Sequence, residues 1–484
     1  MRQAFKLGLL GLAACLLAAL SACSSLAPDY QAPKANAPAQ WQEAPTEPGW
    51  QAAEPRDSEA KGAWWKIFND PVLNALADAT LAHNPSLAQA QFRLDQAKAQ
   101  TALALGAQSP TVGLGAGTSR FETSAARPQG NYAVVNQRVT QNDFNAAFTT
   151  SYEIDLGGRV RSQIDNAKAL EVKSGADFEN TRLLLTAQLA TAYFSLRALD
   201  ADLALLNRTL RDQKKLIALL EDRHQQGLTS GLDLEQQKAL TALVENQILN
   251  SQDQRSHFQN AIATLSGQAA PRFELAAWGS AAESLPAVPP VPIDSPAAVL
   301  ERRPDVASAE RAVAAANAQI GVARSAYLPS LTLGALLGTD ANKTPLLFTG
   351  PAGLWSLGLN AGLTLLDGGR IDANVSSAKA AYQQTVSAYQ QTVLSAFEEV
   401  QNAINTRYAL ARSQSTLKRG AQSARQAYDL TQARYEQGAS SYLDALTNEQ
   451  VWLSYERQLL QNQGQQLINT VQLVKVLGGG WSGF

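Results

Sequence analysis

The sequence predicts a mixed α/β chain built from two tandem copies of one unit, each copy joining two amphipathic strands to a very long helical hairpin. Three observations predict this. All twenty prolines fall within 28–128 and 271–351, which leaves two long tracts free of helix breakers. The two halves of the chain align with each other residue by residue. Beside the proline-free tracts lie short segments in which apolar residues alternate with small or polar ones.

The chain opens with Arg2 and Lys6, an apolar run from Leu7 to Leu20, and Ser21-Ala22, the layout of a secretory leader over 1–22. Leu20-Ser21-Ala22-Cys23 resembles the lipobox of bacterial lipoproteins, in which cleavage before the cysteine frees its thiol and new amino terminus for acylation. A covalent lipid on Cys23 is the only attached group expected, and no other cofactor is. Each buried acyl CH₂ contributes about 0.8 kcal/mol of membrane affinity, so several chains anchor firmly. Ser24, rather than Asp, follows the cysteine, which in such lipoproteins implies sorting to the outer membrane. The alternative is an ordinary leader cut after Ala22. Residues 23–55, rich in Pro, Ala and Gln, then read as a lipidated, extended tether.

Cleavage leaves 462 residues (484 minus 22) with no apolar run near the 18 to 20 residues that a membrane helix needs. If the mature chain crosses a bilayer, it does so in a closed β-barrel, because lipid does not tolerate open sheet edges. Charged residues make up 17% of the chain and the net charge is −2, or −4 without Arg2 and Lys6. That balance carries no electrostatic footprint for nucleic acid. The only cysteines are Cys15 and Cys23, so neither a disulfide framework nor a cysteine metal site is available.

Asn84–Gly117 aligns with Arg303–Leu336 at an offset of 219, with twelve identities in 34 positions, among them Pro85/Pro304, Gln100/Gln319 and Pro110/Pro329. Further on the offset is 211, pairing Gly157-Gly158-Arg159 with Gly368-Gly369-Arg370. It also pairs Arg223-x-x-Gln226-Gly227-x-x-Ser230-x-Leu232-Asp233 with Arg434-x-x-Gln437-Gly438-x-x-Ser441-x-Leu443-Asp444. The copies occupy 56–283 and 301–478, separated by a Pro-rich linker and equatorial segment over 284–300 and followed by a tail, 479–484.

In the first copy Leu185, Leu189, Ala192, Leu196, Leu199, Leu203, Leu206 and Leu210 alternate spacings of four and three, a heptad seam. Tyr382, Val386, Tyr389, Val393, Ala396 and Val400 repeat it in the second. At 1.5 Å per residue each helix is about 100 Å long. Gly227 and Gly438 stand where such helices end and turn, and Leu232–Leu265 and Leu443–Leu477 run back as helices. The helices alone fit a soluble antiparallel coiled coil equally well.

Residues 148–156 place Phe148, Thr150, Tyr152, Ile154 and Leu156 on one face against Thr149, Ser151, Glu153 and Asp155 on the other. Residues 356–365 place Leu357, Leu359, Ala361, Leu363 and Leu365 against Ser356, Gly358, Asn360, Gly362 and Thr364. Val112-x-Leu114-x-Ala116 and Leu331-x-Leu333-x-Ala335-x-Leu337 alternate more weakly. Such patterns fit lipid-facing and lumen-facing barrel strands, and equally a half-buried soluble sheet. The lipobox favours the barrel. Four strands are too few to close one, so the chain is expected to oligomerise.

Several motifs together carry a resemblance over about 60–478. They are Trp65-Lys66-x-Phe68-x-Asp70-Pro71-x-Leu73, Tyr152-Glu153-Ile154-Asp155-Leu156-Gly157-Gly158-Arg159, Arg302-Arg303-Pro304-Asp305-Val306, Ile320-Gly321-x-Ala323-x-x-x-Tyr327-x-Pro329, Leu366-Asp367-Gly368-Gly369-Arg370 and Arg434-Tyr435-x-x-Gly438-x-x-x-Tyr442-Leu443. The chain resembles TolC-like outer membrane efflux proteins, specifically the lipoprotein channels that serve RND-type multidrug pumps. The resemblance implies a homotrimer with a twelve-stranded barrel in the outer membrane, four strands per chain, joined to a long antiparallel α-helical barrel through the periplasm. It implies passive conduction, with a periplasmic adaptor and an inner membrane RND-type pump as partners.

By the same resemblance the hairpin turns form the tip that meets the adaptor, which puts Gly227, Leu228, Ser230, Gly438 and Ser441 there, and the pore closes nearby. Leu443 and Tyr435 match the family's constriction and its neighbour, while its usual aspartate position reads Thr447 and a usual arginine reads Gln450. Asp444, one turn away, either supplies the missing acidic ring or, like its counterpart Asp233, serves as a helix N-terminal carboxylate.

Catalytic motifs are not met. Gly113-x-Gly115-x-Gly117 lies in a strand pattern rather than opening a helix. Gly227-Leu228-Thr229-Ser230-Gly231 misses the nucleophile-elbow spacing by one residue, and His83, His224 and His257 are far apart. An enzyme is therefore not expected. A heavy-metal duct, a protein-secretion duct and a structural periplasmic coiled-coil lipoprotein are the competing readings. The single methionine lends no support to a metal-handling lumen.

Overall fold

The computed structural model describes residues 26–33, 38, 41, 62–124, 138–277, 285–291 and 296–479. The leader, Cys23, most of the tether and 480–484 lie outside the described residues. Helices α1 (Pro71–His83) and α2 (Pro85–Gly106) lead into strands β1 (Thr111–Thr123) and β2 (Val139–Ile154). The long hairpin α3 (Arg159–Gln225) and α4 (Gly231–Leu265) follows. The second copy repeats the order with α5 (Pro296–Arg302), α6 (Pro304–Ser325), β3 (Ser330–Ala341), β4 (Gly353–Gly362), α7 (Arg370–Glu436) and α8 (Tyr442–Val476). Both outgoing helices have 67 residues and both returning helices 35, so the duplication is kept to the residue.

Several helices begin where a side chain satisfies the free amides of the first turn. Asp70 accepts from the amides of Val72 at 2.9 Å and Leu73 at 3.1 Å, with Pro71 at the first helical position. Asp155 accepts from Val160 and Arg161 at 3.1 and 3.0 Å to start α3, and Asp367 from Gly369 and Ile371 at 2.9 and 2.7 Å to start α7. The Ile371 amide, followed by that of Gly369, holds the Asp367 carboxyl below its usual range. The two Gly-Gly-Arg motifs are thus capped by aspartates four and three residues upstream of the arginine, one position out of register between the copies.

The described chain divides into two compact units that cut across the repeats. One gathers residues 26–33, 95–173 and 309–389; the other gathers 41, 62–94, 174–308 and 390–479 where described. The first unit holds one sheet, an antiparallel meander in the order β1-β2-β3-β4, with β1 and β4 as its edges. The expected strand at 356–365 is shifted. It spans Gly353–Gly362, and Leu363 and Leu365 follow it, because Asp367 and the glycines after it already turn the chain into α7. Likewise β2 ends at Ile154, so Leu156 falls in the turn, and β2 starts nine residues before Phe148.

The second unit holds the main hydrophobic core. Tyr193, Phe194, Leu189 and Leu196 of α3 are fully buried with Leu73, Ile262, Ile404, Leu467, Leu473 and Leu477. The Trp65-x-x-Phe68 motif belongs here: Phe68 lies 4.6 Å from Phe194, and Trp64 donates to Thr186 at 3.2 Å. Arg303 of the Arg-Arg-Pro-Asp motif, itself buried, pairs with Asp305 at 2.7 Å and Glu399 at 2.8 Å and donates to the Val476 carbonyl at 3.1 Å. One arginine thereby ties the start of α6 to α7 and to the end of α8. Among the described residues no helix is long and apolar enough to cross a membrane.

Candidate functional site at the hairpin tips and on the sheet

The two hairpin turns are chemical copies. Gly227 and Gly438 have φ of +70° and +73°, a left-handed conformation that glycine adopts without strain. The amides of Gly227 and Leu228 bond to the carbonyls of His224 and Arg223, and those of Gly438 and Ala439 to Tyr435 and Arg434. This Schellman pattern satisfies the last carbonyls of each outgoing helix. Leu228 stays exposed between the helices.

The returning helices are capped differently. Ser230 accepts from the Leu232 amide at 3.1 Å, and Thr229 donates to Asp233 at 3.2 Å. Ser441 forms a full capping box with Asp444, whose carboxylate accepts from the Ser441 amide at 3.2 Å and hydroxyl at 2.7 Å. The Ser441 hydroxyl, its amide and then Ser440 hold the fully exposed Asp444 carboxyl below its usual range. Asp444 therefore occupies the helix N-terminal carboxylate role, like Asp233. Thr447 returns its hydroxyl to the Leu443 carbonyl at 2.8 Å, and Leu443 is half exposed.

Under the turns Leu220, Leu234, Tyr442 and Leu446 bury one another, with Tyr435 packed alongside. The Tyr435 and Tyr442 rings lie 5.5 Å apart, and the Tyr442 hydroxyl donates to Gln237 of the other copy. Burial first, then the Glu449 charge, pushes the Tyr442 hydroxyl well above its usual range, so it remains a donor. Farther along the hairpins Arg457 of α8 clasps Asp202 of α3 at 2.7 and 3.0 Å and bonds Gln247 of α4 at 3.0 Å, while Ser251 of α4 donates to Asp202 at 3.1 Å. A cavity of about 310 Å³ beside it is lined by Leu205, Leu206, Val244, Gln450 and Arg457. Sequence reasoning missed Gln237, Asp202 and Arg457, because a polar side chain on a heptad flank reads the same whether it faces solvent or a partner helix. Tyr442 stood beside Leu443 in a motif, and its hydrophobic neighbours on three helices are what single it out.

The sheet has two chemically different faces. The register stacks Val112, Thr150, Ala335 and Leu357 in one row, and Leu114, Phe148, Leu337 and Trp355 in the next. The opposite face stacks Gly113, Thr149, Leu336 and Ser356, then Thr111, Ser151, Gly334 and Gly358, with Glu153, Thr332 and Asn360 beyond. The apolar face is bare, with Trp355 74% and Leu357 67% exposed, and the polar face is exposed as well. Four period-two strands thus agree on one side that water does not suit.

A meander with a bare apolar face, joined in sequence to duplicated helical hairpins, defines an outer membrane channel protein. The comparisons agree. A family model described as outer membrane efflux protein matches residues 76–268 and 296–479. The pyoverdine export outer membrane protein OpmQ of Pseudomonas putida is 31% identical, over 90% of this chain and 92% of its own. The antibiotic efflux pump outer membrane protein ArpC of Pseudomonas putida is also 31% identical, over 96% and 93%. The solved outer-membrane channel OprN superposes with a TM-score of 0.85 at 28% identity, covering 95% of this chain and all of that one. The chain belongs to the outer membrane efflux protein family, with the TolC-like fold and an outer membrane location. It functions as the outer membrane exit duct of an efflux system.

Proposed function

We propose that the protein works as a homotrimer, a lipid-anchored duct that conducts small toxic organic compounds passively, fed by a periplasmic adaptor and an inner membrane RND-type pump. One observation carries this reading. The sheet has a bare apolar face and two open edges, β1 and β4. Lipid accepts the first and forbids the second, so the edges are closed by other copies. Three copies give the twelve strands of the family barrel. On β2 the apolar face runs from Phe144 to Ile154. Ten steps of about 3.4 Å, tilted by about 40°, span about 26 Å, the height of the apolar band in outer membrane barrels.

The substrate class follows the relatives, two of which are named for pyoverdine and antibiotic export. Cys23 carries the lipid, and no other cofactor takes part. The turns around Gly227, Leu228, Ser230, Gly438 and Ser441 meet the adaptor, and Leu443 and Tyr435, with Thr447, form the constriction. The capping box supports Asp444 as the group that holds the α8 start in place, so that it shapes the gate through helix geometry. Adaptor binding favours the open packing by binding it more tightly.

The test is native mass of the detergent-extracted protein together with planar-bilayer conductance. A mass of three chains, with small intermittent conductance that rises in Leu443→Ser or Asp444→Ala, is expected. A stable monomer that conducts in no variant would overturn the reading.

A further inference from the structure

The two Gly-Gly-Arg motifs have the same sequence and different electrostatics. In the first copy Arg159 forks onto Glu153, donating through Nε at 2.8 Å and through Nη2 to the second carboxylate oxygen. At the offset of 211 that relates the copies, position 153 corresponds to 364, and the residue there is Thr364. Arg370, the counterpart of Arg159, therefore has no acid in the matching place. It is exposed, and among the described residues no carboxylate lies within ion-pair distance of its guanidinium. Asp367 feels its charge, yet gives its two oxygens to the Gly369 and Ile371 amides.

Both arginines line one cavity of about 720 Å³ in the first unit, at the foot of the sheet where α3 and α7 begin and α6 ends. Glu153, Ser330 and Gly362 also line it, and the register puts all three on the polar face of the sheet with Thr332 and Asn360. Val322, Leu328 and Ile371 supply apolar wall. Asp155 is the remaining charge on the lining; it is held by the Val160 and Arg161 amides and lies 3.4 Å from the Arg161 guanidinium. Arg370 is thus the cation of this lining that no carboxylate grips. In the barrel proposed above the polar face is the lumen, so the cavity lies in the wall of the conducting path.

We propose that the Arg370 cavity is a binding site for amphiphilic organic anions, molecules that carry a carboxylate, sulfonate or phosphate on an apolar ring system. The guanidinium fork accepts two oxygens of such a group, the apolar wall accepts the rings, and the volume is that of a site for a drug-sized ligand. Thr364 is what leaves the fork open, because a glutamate there would close it as Glu153 closes Arg159. The use of the site as a resting point for cargo rests on the duct reading above, whereas the site itself is formed within one chain.

Calorimetric titration of the full-length protein in a non-ionic detergent tests this, with naphthalene-2-sulfonate as the probe and 2-naphthol as the same rings without the ionised group. The unaltered protein is expected to bind one sulfonate per chain, and Arg370→Gln and Thr364→Glu each to bind it at least about tenfold more weakly, since each removes a charge-assisted pair of hydrogen bonds. The two variants are expected to leave the weaker binding of 2-naphthol unchanged. Arg370→Gln removes the fork and Thr364→Glu fills it, so agreement between them does not depend on either one alone. No sulfonate binding in the unaltered protein, as when a carboxylate of a neighbouring copy grips Arg370, would overturn the proposal, and so would binding that survives both variants. The titration needs no conductance: a chain that binds the probe but forms no duct strikes only the reading above, and a duct that does not bind it strikes only this inference.

Discussion

The core of the second unit and the sheet are written in similar residues and obey opposite rules. Around Tyr193 and Phe194 each large apolar side chain is covered, and several buried polar groups are tied into networks. Tyr193 donates to Asp70 at 2.6 Å, and Arg197 and Arg255 share Asp200 at 2.9 and 2.6 Å. In the sheet Leu114, Phe148, Leu337, Trp355 and Leu357 form continuous rows with nothing of their own chain over them. The core is stabilised by leaving water. The sheet is stabilised by entering lipid, and its backbone bonds matter more than its side-chain packing. One chain is folded for two solvents, and a substitution has to be judged by which of them its site meets.

The largest effect that would break this contrast lies in the core. Phe194→Ala removes a ring packed on Phe68 and Tyr193 and is expected to cost about 3 to 5 kcal/mol, read as a lowered denaturant midpoint for the soluble-exposed helices. A loss below about 1 kcal/mol would mean that this cluster is not the stabilising core. The sheet gives the next effect, and it depends on the face. Leu357→Arg, in the apolar row, is expected to cost about 2 to 4 kcal/mol in vesicle folding, whereas the adjacent Ser356→Arg, on the polar face, costs less than about 1 kcal/mol. Equal costs would show that the assignment of lipid and lumen faces is wrong.

The smallest effect separates the two tips. Ser441→Ala removes the full capping box and is expected to cost the α8 start about 1 kcal/mol, more than Ser230→Ala costs α4, as read by exchange of the first-turn amides. Because the folded-state Asp444 carboxyl is held below its usual value, its contribution is present above the unfolded carboxylate range and is lost as pH falls through the folded value. Asp444→Asn should abolish that acid-side loosening of the second tip and leave the first tip's response unchanged. A second tip that still loosens in acid would place the titrating group elsewhere.

Sequence alone determined the plan. The duplication, the heptad seams and the proline-free tracts set two helical hairpins of equal length, because a heptad pattern is a property of a single segment and can be read locally. Gly227 and Gly438 marked the turns, since only glycine takes a left-handed conformation freely. Alternation located all four strands, though it placed the end of β4 three residues late, where capping by Asp367 competes with the strand. The tertiary structure decided what depends on partners distant in sequence. Local geometry also had to be seen: Ser441, three residues away, closes a capping box with Asp444 that spacing alone leaves open. The Tyr442–Gln237 tie and the Asp202–Arg457 clasp join residues more than 200 positions apart. No periodicity encodes such pairs, because the energy of each exists only once the two copies have packed.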